Sequence, residues 1–206
     1  MKEFTYENQN NNKRYETYEW DNTWIEHANN TDAKRVLYIG DSISCGIRRI
    51  ATELTNEKIL FDGFGTSKGI DNPYLMDSIK IFAAQQGKRD VILFNNGLHG
   101  WHLDDETEYK EYFENVIKFL LENFKNILLM IVLTTFIANE EREKRVVVRN
   151  KGAVEIAKKY DLPVIDLYAE SKTNQKYLKN DGVHFLKKGY VKLAKKIVAE
   201  VKNSIN

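Results

Sequence analysis

The chain has 206 residues, of which 42% are hydrophobic and 12% aromatic, with 31 Lys plus Arg against 30 Asp plus Glu. This size and composition predict one globular domain with a substantial core. The net charge of +1 gives no electrostatic reason to expect a nucleic acid or an anionic membrane as a partner. The single cysteine, Cys45, excludes an internal disulfide and a cysteine-based metal cluster.

The N-terminal residues 1–8 are polar and lack the apolar core of a signal peptide. No apolar run approaches the ~18 residues that a membrane-spanning helix needs. We therefore expect a cytoplasmic protein, unless a signal has been removed from the chain.

Residues 1–33 are polar and rich in asparagine, but they carry the aromatic side chains Tyr15, Tyr18, Trp20 and Trp24. Disordered tails seldom hold so many aromatics. We predict that this segment is an N-terminal arm packed on a domain of residues 34–206. The burial tendency of aromatic side chains favours plain packing. The alternatives are a wall of the substrate site or a contact in a homo-oligomer.

From residue 35 onward, strand-like and helix-like stretches alternate. Strands are predicted at 35–39, 58–61, 90–94, 127–134 and 163–167, and helices at 46–56, 72–86, 104–124, 139–160 and 187–204. Such alternation is typical of a parallel sheet with helices on both faces. We therefore predict a three-layer α/β/α sandwich around a parallel sheet of about five strands. The glycine-rich segment 62–69 is predicted to be a loop.

Gly40-Asp41-Ser42 lies between the first predicted strand and the first predicted helix. The N-terminus of a helix presents backbone N–H groups that have no acceptor within the helix. A serine hydroxyl at that point is well placed to attack a carbonyl, because these N–H groups stabilise the oxyanion that forms. The same residues would also suit an ordinary helix N-cap.

A second motif, Asp181-Gly182-Val183-His184, precedes the last predicted helix. Across one turn, Asp181 can accept the Nδ1–H of His184 and leave Nε2 to take a proton from Ser42. Gly182 allows the sharp backbone turn between them. The alternative is a capping aspartate followed by a surface histidine.

The two motifs together resemble the SGNH, or GDSL-type, hydrolase family over roughly residues 35–200. This resemblance implies that Ser42 is the nucleophile, His184 the general base and Asp181 its orienting partner, with no cofactor. It also implies an oxyanion hole made by the Ser42 N–H, a glycine N–H after the second strand and an asparagine side chain after the third. The glycine matches Gly65 or Gly63.

The third donor departs from the family pattern. The family's Gly-x-Asn-Asp falls on Gly97-Leu98-His99-Gly100, so that His99 stands where asparagine is expected. Either a neutral His99 donates an N–H to the oxyanion, or Asn95 supplies its amide while His99 supports it. Asn95 also suits a plain turn. Trp101 is predicted to line the pocket, where its flat face suits a sugar ring or an acyl group.

Three further features have simple interpretations. His99 and His102 are spaced like metal ligands, but no third strong ligand is visible by spacing, so we predict no metal site. Cys45 is predicted to turn inward with its helix instead of acting as a nucleophile. The charged run 140–149 is interpreted as a solvated helix face.

These observations favour a serine esterase that hydrolyses a small acyl ester, with acetyl as the first choice. The expected partner is a small-molecule or carbohydrate ester, because aromatic side chains flank the predicted site. The alternatives are a non-catalytic ligand-binding domain on the same fold, a thioesterase or lysophospholipase-type hydrolase, and a metal-dependent hydrolase that uses His99 and His102.

Overall fold

The computed structural model describes residues 15–205, so that part of the N-terminal arm, residues 1–14, lies outside the described residues. The strands are β1 (Asp21–Trp24), β2 (Lys34–Gly40), β3 (Ile59–Thr66), β4 (Val91–Phe94), β5 (Leu128–Val132) and β6 (Val164–Ile165). They form one six-stranded sheet in the order β1-β3-β2-β4-β5-β6. All neighbouring strands are parallel except β1, which pairs with β3 in the antiparallel sense.

The helices are α1 (Ser42–Leu54), α2 (Leu75–Gln86), α3 (Glu106–Asn123), α4 (Glu140–Lys159), α5 (Leu167–Thr173) and α6 (Lys187–Ile205). Two apolar clusters lie on opposite faces of the sheet. One contains side chains of α2, α3 and the second half of α4, and the other contains side chains of α1 and α6. The predicted three-layer α/β/α sandwich is therefore confirmed.

Strand β2 shows why the apolar run 35–39 forms a central strand. Leu37 and Ile39 enter one cluster, while Val36 and Tyr38 enter the other. Successive strand side chains point to opposite faces, so a strand that is covered on both sides must be apolar at nearly every position. The predicted parallel strands match β2 to β6, although β6 has only two residues.

The sequence-based prediction is wrong for residues 62–66, which belong to β3 and not to a loop. Asp62 is fully buried there because Arg35 and Gln86 donate hydrogen bonds to its carboxylate. Gly63 and Gly65 face α1, which packs so closely that an added Cβ would lie 2.4 Å from Arg48 and 2.3 Å from Cys45, respectively. The two glycines are therefore explained by the close approach of α1 and the aspartate by its buried hydrogen bonds, and none of the three residues forms a turn.

The structure also differs at several segments outside β3. Strand β1 and helix α5 were not predicted, and α1 begins at Ser42 instead of Gly46. Ser42 is therefore the first residue of the helix, not part of a preceding turn. The side chains of Tyr18 and Trp24 in the arm are exposed, whereas Trp20 is half-buried. The division at residue 33 stays a prediction.

No helix within residues 15–205 is long and apolar enough to cross a membrane. The cytoplasmic location stays a prediction.

Arg35 connects the arm to the sheet. Its guanidinium is 2.9 Å from Asp62 Oδ1 and donates hydrogen bonds to the carbonyls of Glu26, His27 and Asn30. The Arg35 side chain is 5% exposed and that of Asp62 0%. Removing the arginine therefore leaves a buried carboxylate without its main counter-charge.

We expect Arg35→Ala to lower the free energy of unfolding by about 3–5 kcal/mol, as is typical when one partner of a buried ion pair is removed. Urea denaturation followed by circular dichroism measures this change. The control is Lys34→Ala, since Lys34 pairs with Asp90 but its side chain is 56% exposed. Its loss should be below about 1 kcal/mol. Equal losses in the two variants would contradict the prediction.

Candidate active site

Three side chains from distant parts of the chain form one hydrogen-bonded series. Ser42 Oγ lies 2.8 Å from His184 Nε2, although the two residues are 142 positions apart. His184 Nδ1 lies 2.9 Å from Asp181 Oδ2. A base that contacts both a hydroxyl and an orienting carboxylate is the arrangement needed to activate a serine.

Ser42 owes its position to the junction between β2 and α1. Asp41 is the N-cap of α1, and its Oδ1 accepts a hydrogen bond of 2.8 Å from the N–H of Ile43. The backbone N–H groups of a first helical turn lack acceptors within the helix. The serine hydroxyl thus lies next to N–H groups at the positive end of the helix dipole.

Asp181 is held as an ionised acceptor by the backbone that follows it. Its Oδ1 accepts the N–H groups of Val183 and His184, each at 2.9 Å. These two hydrogen bonds, with further help from the His184 side chain, lower the pKa of Asp181 to about 2. The carboxylate therefore stays charged at neutral pH and favours a proton on His184 Nδ1.

Gly182 permits the turn that carries these two residues. Its φ of +70° lies in the left-handed region, and an added Cβ would lie 2.9 Å from that of Ala138. Its carbonyl also accepts a hydrogen bond of 2.8 Å from the N–H of Ala138. The close approach and the positive φ both require glycine here.

The two candidate glycines occupy different places along β3. Gly65 pairs with Gly40 in the sheet, and its added Cβ would lie 3.4 Å from the carbonyl oxygen of Asp41. Gly63 lies two residues further from the end of the strand and beneath Arg48. Gly65 is therefore the glycine beside the Asp41–Ser42 junction.

The Asn95 side chain is committed to other partners. Its Nδ2 donates hydrogen bonds to the Val132 carbonyl at 2.8 Å and to Thr134 Oγ1 at 3.0 Å. An amide nitrogen carries only two hydrogens, so these bonds use both. In this arrangement Asn95 joins the end of β4 to the end of β5.

His99 lies between the Asn95 loop and the N-terminal arm. Its ring and that of Trp20 are nearly perpendicular, with centroids 6.2 Å apart, and its Nδ1 lies 3.6 Å from Glu16 Oε1. That distance is too long for a hydrogen bond. Glu16 Oε1 instead accepts the N–H of Gly100 at 2.7 Å. Burial raises the pKa of Glu16, but His99 and this N–H outweigh it and lower the pKa overall.

Trp101 lies against α4. Its ring faces the guanidinium groups of Arg142, Arg145 and Arg149, at 5.1, 5.2 and 4.6 Å from the ring centroid. It also packs against the cluster formed by α1 and α6. These contacts give Trp101 a packing role, and its predicted role as a pocket wall has no support from them.

The remaining chemically active side chains have other partners. His102 Nε2 lies 3.0 Å from Asp71 Oδ2. Within residues 15–205, no group of three or more His, Cys, Asp or Glu side chains could hold a metal ion. Cys45 is half-buried beside Gly65, and burial raises the pKa of its thiol, which disfavours the reactive thiolate.

The interpretation of residues 140–149 as a solvated face is wrong for Arg149, whose side chain is 1% exposed. Arg149 occupies the apolar stripe of α4 with Val146, Ala153 and Ile156. A charged residue at helical spacing within an apolar stripe was the available signal. Glu16 had no comparable signal, because it lies in a polar segment without periodicity.

No family model matches the sequence, and no curated protein is a significant match. Solved structures do match. A lipase/acylhydrolase from Enterococcus faecalis is 19% identical, with a TM-score of 0.69 over 84% of this chain and 97% of that one. A member of the lipolytic G-D-S-L family from Veillonella parvula is 19% identical, with a TM-score of 0.65 over 81% of this chain and 97% of that one.

The acetyl xylan esterase AlAXEase is 20% identical to this chain, with a TM-score of 0.65 over 81% of this chain and 99% of that one. The similarity therefore spans nearly the full length of each of these three proteins and most of this chain. The resemblance inferred from the two motifs is thus confirmed for the fold: the chain has the SGNH, or GDSL-type, hydrolase fold.

Proposed function

We propose that the chain is a serine esterase that hydrolyses small acyl esters, with acetyl groups on a carbohydrate as the preferred substrate. The observation that carries this proposal is the series from Ser42 Oγ through His184 to Asp181, with separations of 2.8 and 2.9 Å. The fold shared with lipases, acylhydrolases and an acetyl xylan esterase supports the same reaction class.

In the proposed mechanism His184 Nε2 removes the proton of Ser42 as its oxygen attacks the ester carbonyl. The imidazolium that forms is stabilised by the Asp181 carboxylate and then gives its proton to the leaving alcohol. Water attacks the resulting acyl-enzyme by the same route and releases the acid. Both half-reactions pass through a tetrahedral oxyanion.

The proposed oxyanion hole consists of the N–H group of Ser42 and a ring N–H of His99. Gly65 is the glycine that the family pattern adds, although its N–H faces Asn22 in the pairing of β1 with β3. Gly65 is preferred to Gly63 because it lies beside the Asp41–Ser42 junction. His99 is preferred to Asn95 because both amide hydrogens of Asn95 already have acceptors. No hydrogen bond to Glu16 occupies the His99 ring N–H, since the Nδ1–Oε1 distance is 3.6 Å.

An activity-based label tests the proposal directly. A fluorophosphonate probe should add its phosphonyl group to Ser42, and peptide mass spectrometry should locate the adduct there. The label should disappear in His184→Ala, since the hydroxyl is then no longer activated. Absence of label on folded wild-type protein would instead favour a non-catalytic binding domain.

Trp20 is proposed to limit the size of the substrate, because its ring lies against His99 beside the proposed oxyanion hole. We expect Trp20→Ala to raise kcat/KM for p-nitrophenyl hexanoate relative to acetate by about tenfold, the order of effect that a change in pocket size produces. Trp24→Ala is the matched control, because Trp24 is exposed and bonds Glu26. An unchanged preference in Trp20→Ala would remove Trp20 from the pocket.

A further inference from the structure

The buried side chain of Arg149 contacts the loop that carries His99, and it does so from the interior of the protein. Its Nη1 donates to the carbonyls of Gly97 at 3.1 Å and His99 at 2.8 Å, and its Nη2 donates to the carbonyl of Gly100 at 3.0 Å. Its Nε bonds Glu106 Oε2 at 2.7 Å. One side chain thus determines the direction of three carbonyls within four residues.

The peptide bond between His99 and Gly100 is held at both ends. In a trans peptide the C=O and N–H point in opposite directions. The His99 carbonyl accepts from Arg149, while the Gly100 N–H donates to Glu16 at 2.7 Å on the other side. This peptide plane, and with it the start of the His99 side chain, is therefore fixed by two oppositely charged residues.

The surroundings of Arg149 leave it little freedom. Its guanidinium lies 4.6 Å from the centroid of the Trp101 ring and 4.2 Å from that of Tyr109. Glu106 provides the counter-charge, with a side chain that is 14% exposed. A buried charge with a carboxylate partner, three carbonyl acceptors and aromatic rings is a rigid support.

We propose that Arg149 is a positioning residue for catalysis, which holds His99 at the oxyanion through the backbone of residues 97–100. This inference rests on the proposed esterase function. Small displacements of a group that stabilises the transition state cost rate without a matching loss of substrate binding. Loss of Arg149 should therefore lower kcat much more than it changes KM.

Arg145 offers a matched control on the same helix. It also bonds Glu106 and faces Trp101, but its other acceptors are the carbonyls of Trp101 and Leu103, outside residues 97–100. If Arg149 only stabilised α4 and its ion pair, substitution of either arginine should have a similar effect on kcat. If Arg149 positions His99, only its own substitution should lower kcat strongly.

The test compares Arg149→Ala, Arg149→Lys, Arg145→Ala and Ser42→Ala in hydrolysis of p-nitrophenyl acetate. We expect Arg149→Ala to lose about 10²-fold in kcat with KM nearly unchanged, as when one oxyanion donor is lost. Arg145→Ala should keep kcat near the wild-type value. Millimolar guanidinium chloride, but not sodium chloride, should restore part of the kcat of Arg149→Ala, because the free ion can occupy the vacated space.

Equal kcat losses in Arg149→Ala and Arg145→Ala, or a wild-type kcat in either Arg149 variant, would overturn the inference. If Arg149→Ala does not fold, Arg149→Lys decides, because an ammonium group cannot reach all three carbonyls and Glu106 and should lose about tenfold in kcat. The Ser42→Ala arm separates the two proposals. A Ser42→Ala rate equal to wild type would reject the esterase mechanism, whereas loss only in Ser42→Ala would reject only the role of Arg149.

Discussion

Ser42→Ala is expected to lower kcat for p-nitrophenyl acetate by at least about 10⁴-fold, because an acyl-enzyme cannot form without the hydroxyl. The remaining His184 and the N–H groups around residue 42 would leave only weak activation of water. The fold should be unaffected, since Ser42 Oγ contacts His184 and the side chain that caps α1 is that of Asp41. Initial rates of p-nitrophenyl acetate hydrolysis measure the loss of kcat, and circular dichroism on the same preparations shows whether the fold is unchanged.

Ser44→Ala is the matched control for this substitution. Ser44 lies in the same helical turn, but its hydroxyl is buried and donates to the Asp41 carbonyl at 2.7 Å. Its loss should lower stability by about 1 kcal/mol, the usual value of a neutral hydrogen bond, and leave most of the activity. A Ser42→Ala variant with undiminished activity would show that another group attacks the ester.

Asp181→Asn is expected to lower kcat by about 10³-fold through the tautomer of His184. The N–H groups of Val183 and His184 both point at Oδ1, so an asparagine must place its oxygen there. Its NH₂ group then faces His184 Nδ1 and donates to it. The imidazole proton moves to Nε2, which can no longer accept the Ser42 proton. The half-exposed position explains why we expect a smaller loss than for a buried aspartate.

The pH dependence of stability provides a second measurement on the Asp181→Asn variant. The pKa of Asp181 is lowered from 3.8 to about 2, so its ionised form stabilises the fold above its ordinary pKa. That contribution is lost as the pH falls from about 4 towards 2, and Asp181→Asn lacks it at every pH. Urea midpoints of the two proteins should therefore converge at acidic pH. A kcat of Asp181→Asn that matches wild type at pH 7 would contradict the tautomer argument.

The sequence predicts the central layers of the fold well, because the buried strands are continuous apolar runs and the covering helices have apolar side chains at helical spacing. It misses β1, whose four residues are all exposed in the structure. It also misses the strand character of Asp62, because its burial depends on Arg35, 27 positions away. Edge strands and buried ion pairs depend on partners that local patterns do not contain.

The same distinction applies to the candidate site. Ser42 and the Asp181–His184 pair lie in short local motifs, so both could be named from the sequence. The sequence leaves the choice between Asn95 and His99 open, because the acceptors of the Asn95 amide lie across the sheet on residues 132 and 134. The sequence also favours a surface position for Arg149, because adjacent charges obscure its place in the apolar stripe of α4.

The short strand β1 also affects how copies of the protein behave towards each other. It pairs with residues 63–66, the second half of β3, an eight-residue strand in which every residue is buried. The outermost strands of the sheet are then β1 and β6, with four and two residues. Short edges offer few unpaired backbone groups to a neighbouring molecule. Removal of residues 1–24 would uncover residues 63–66 of β3, and the shortened protein should self-associate by intermolecular strand pairing at this edge.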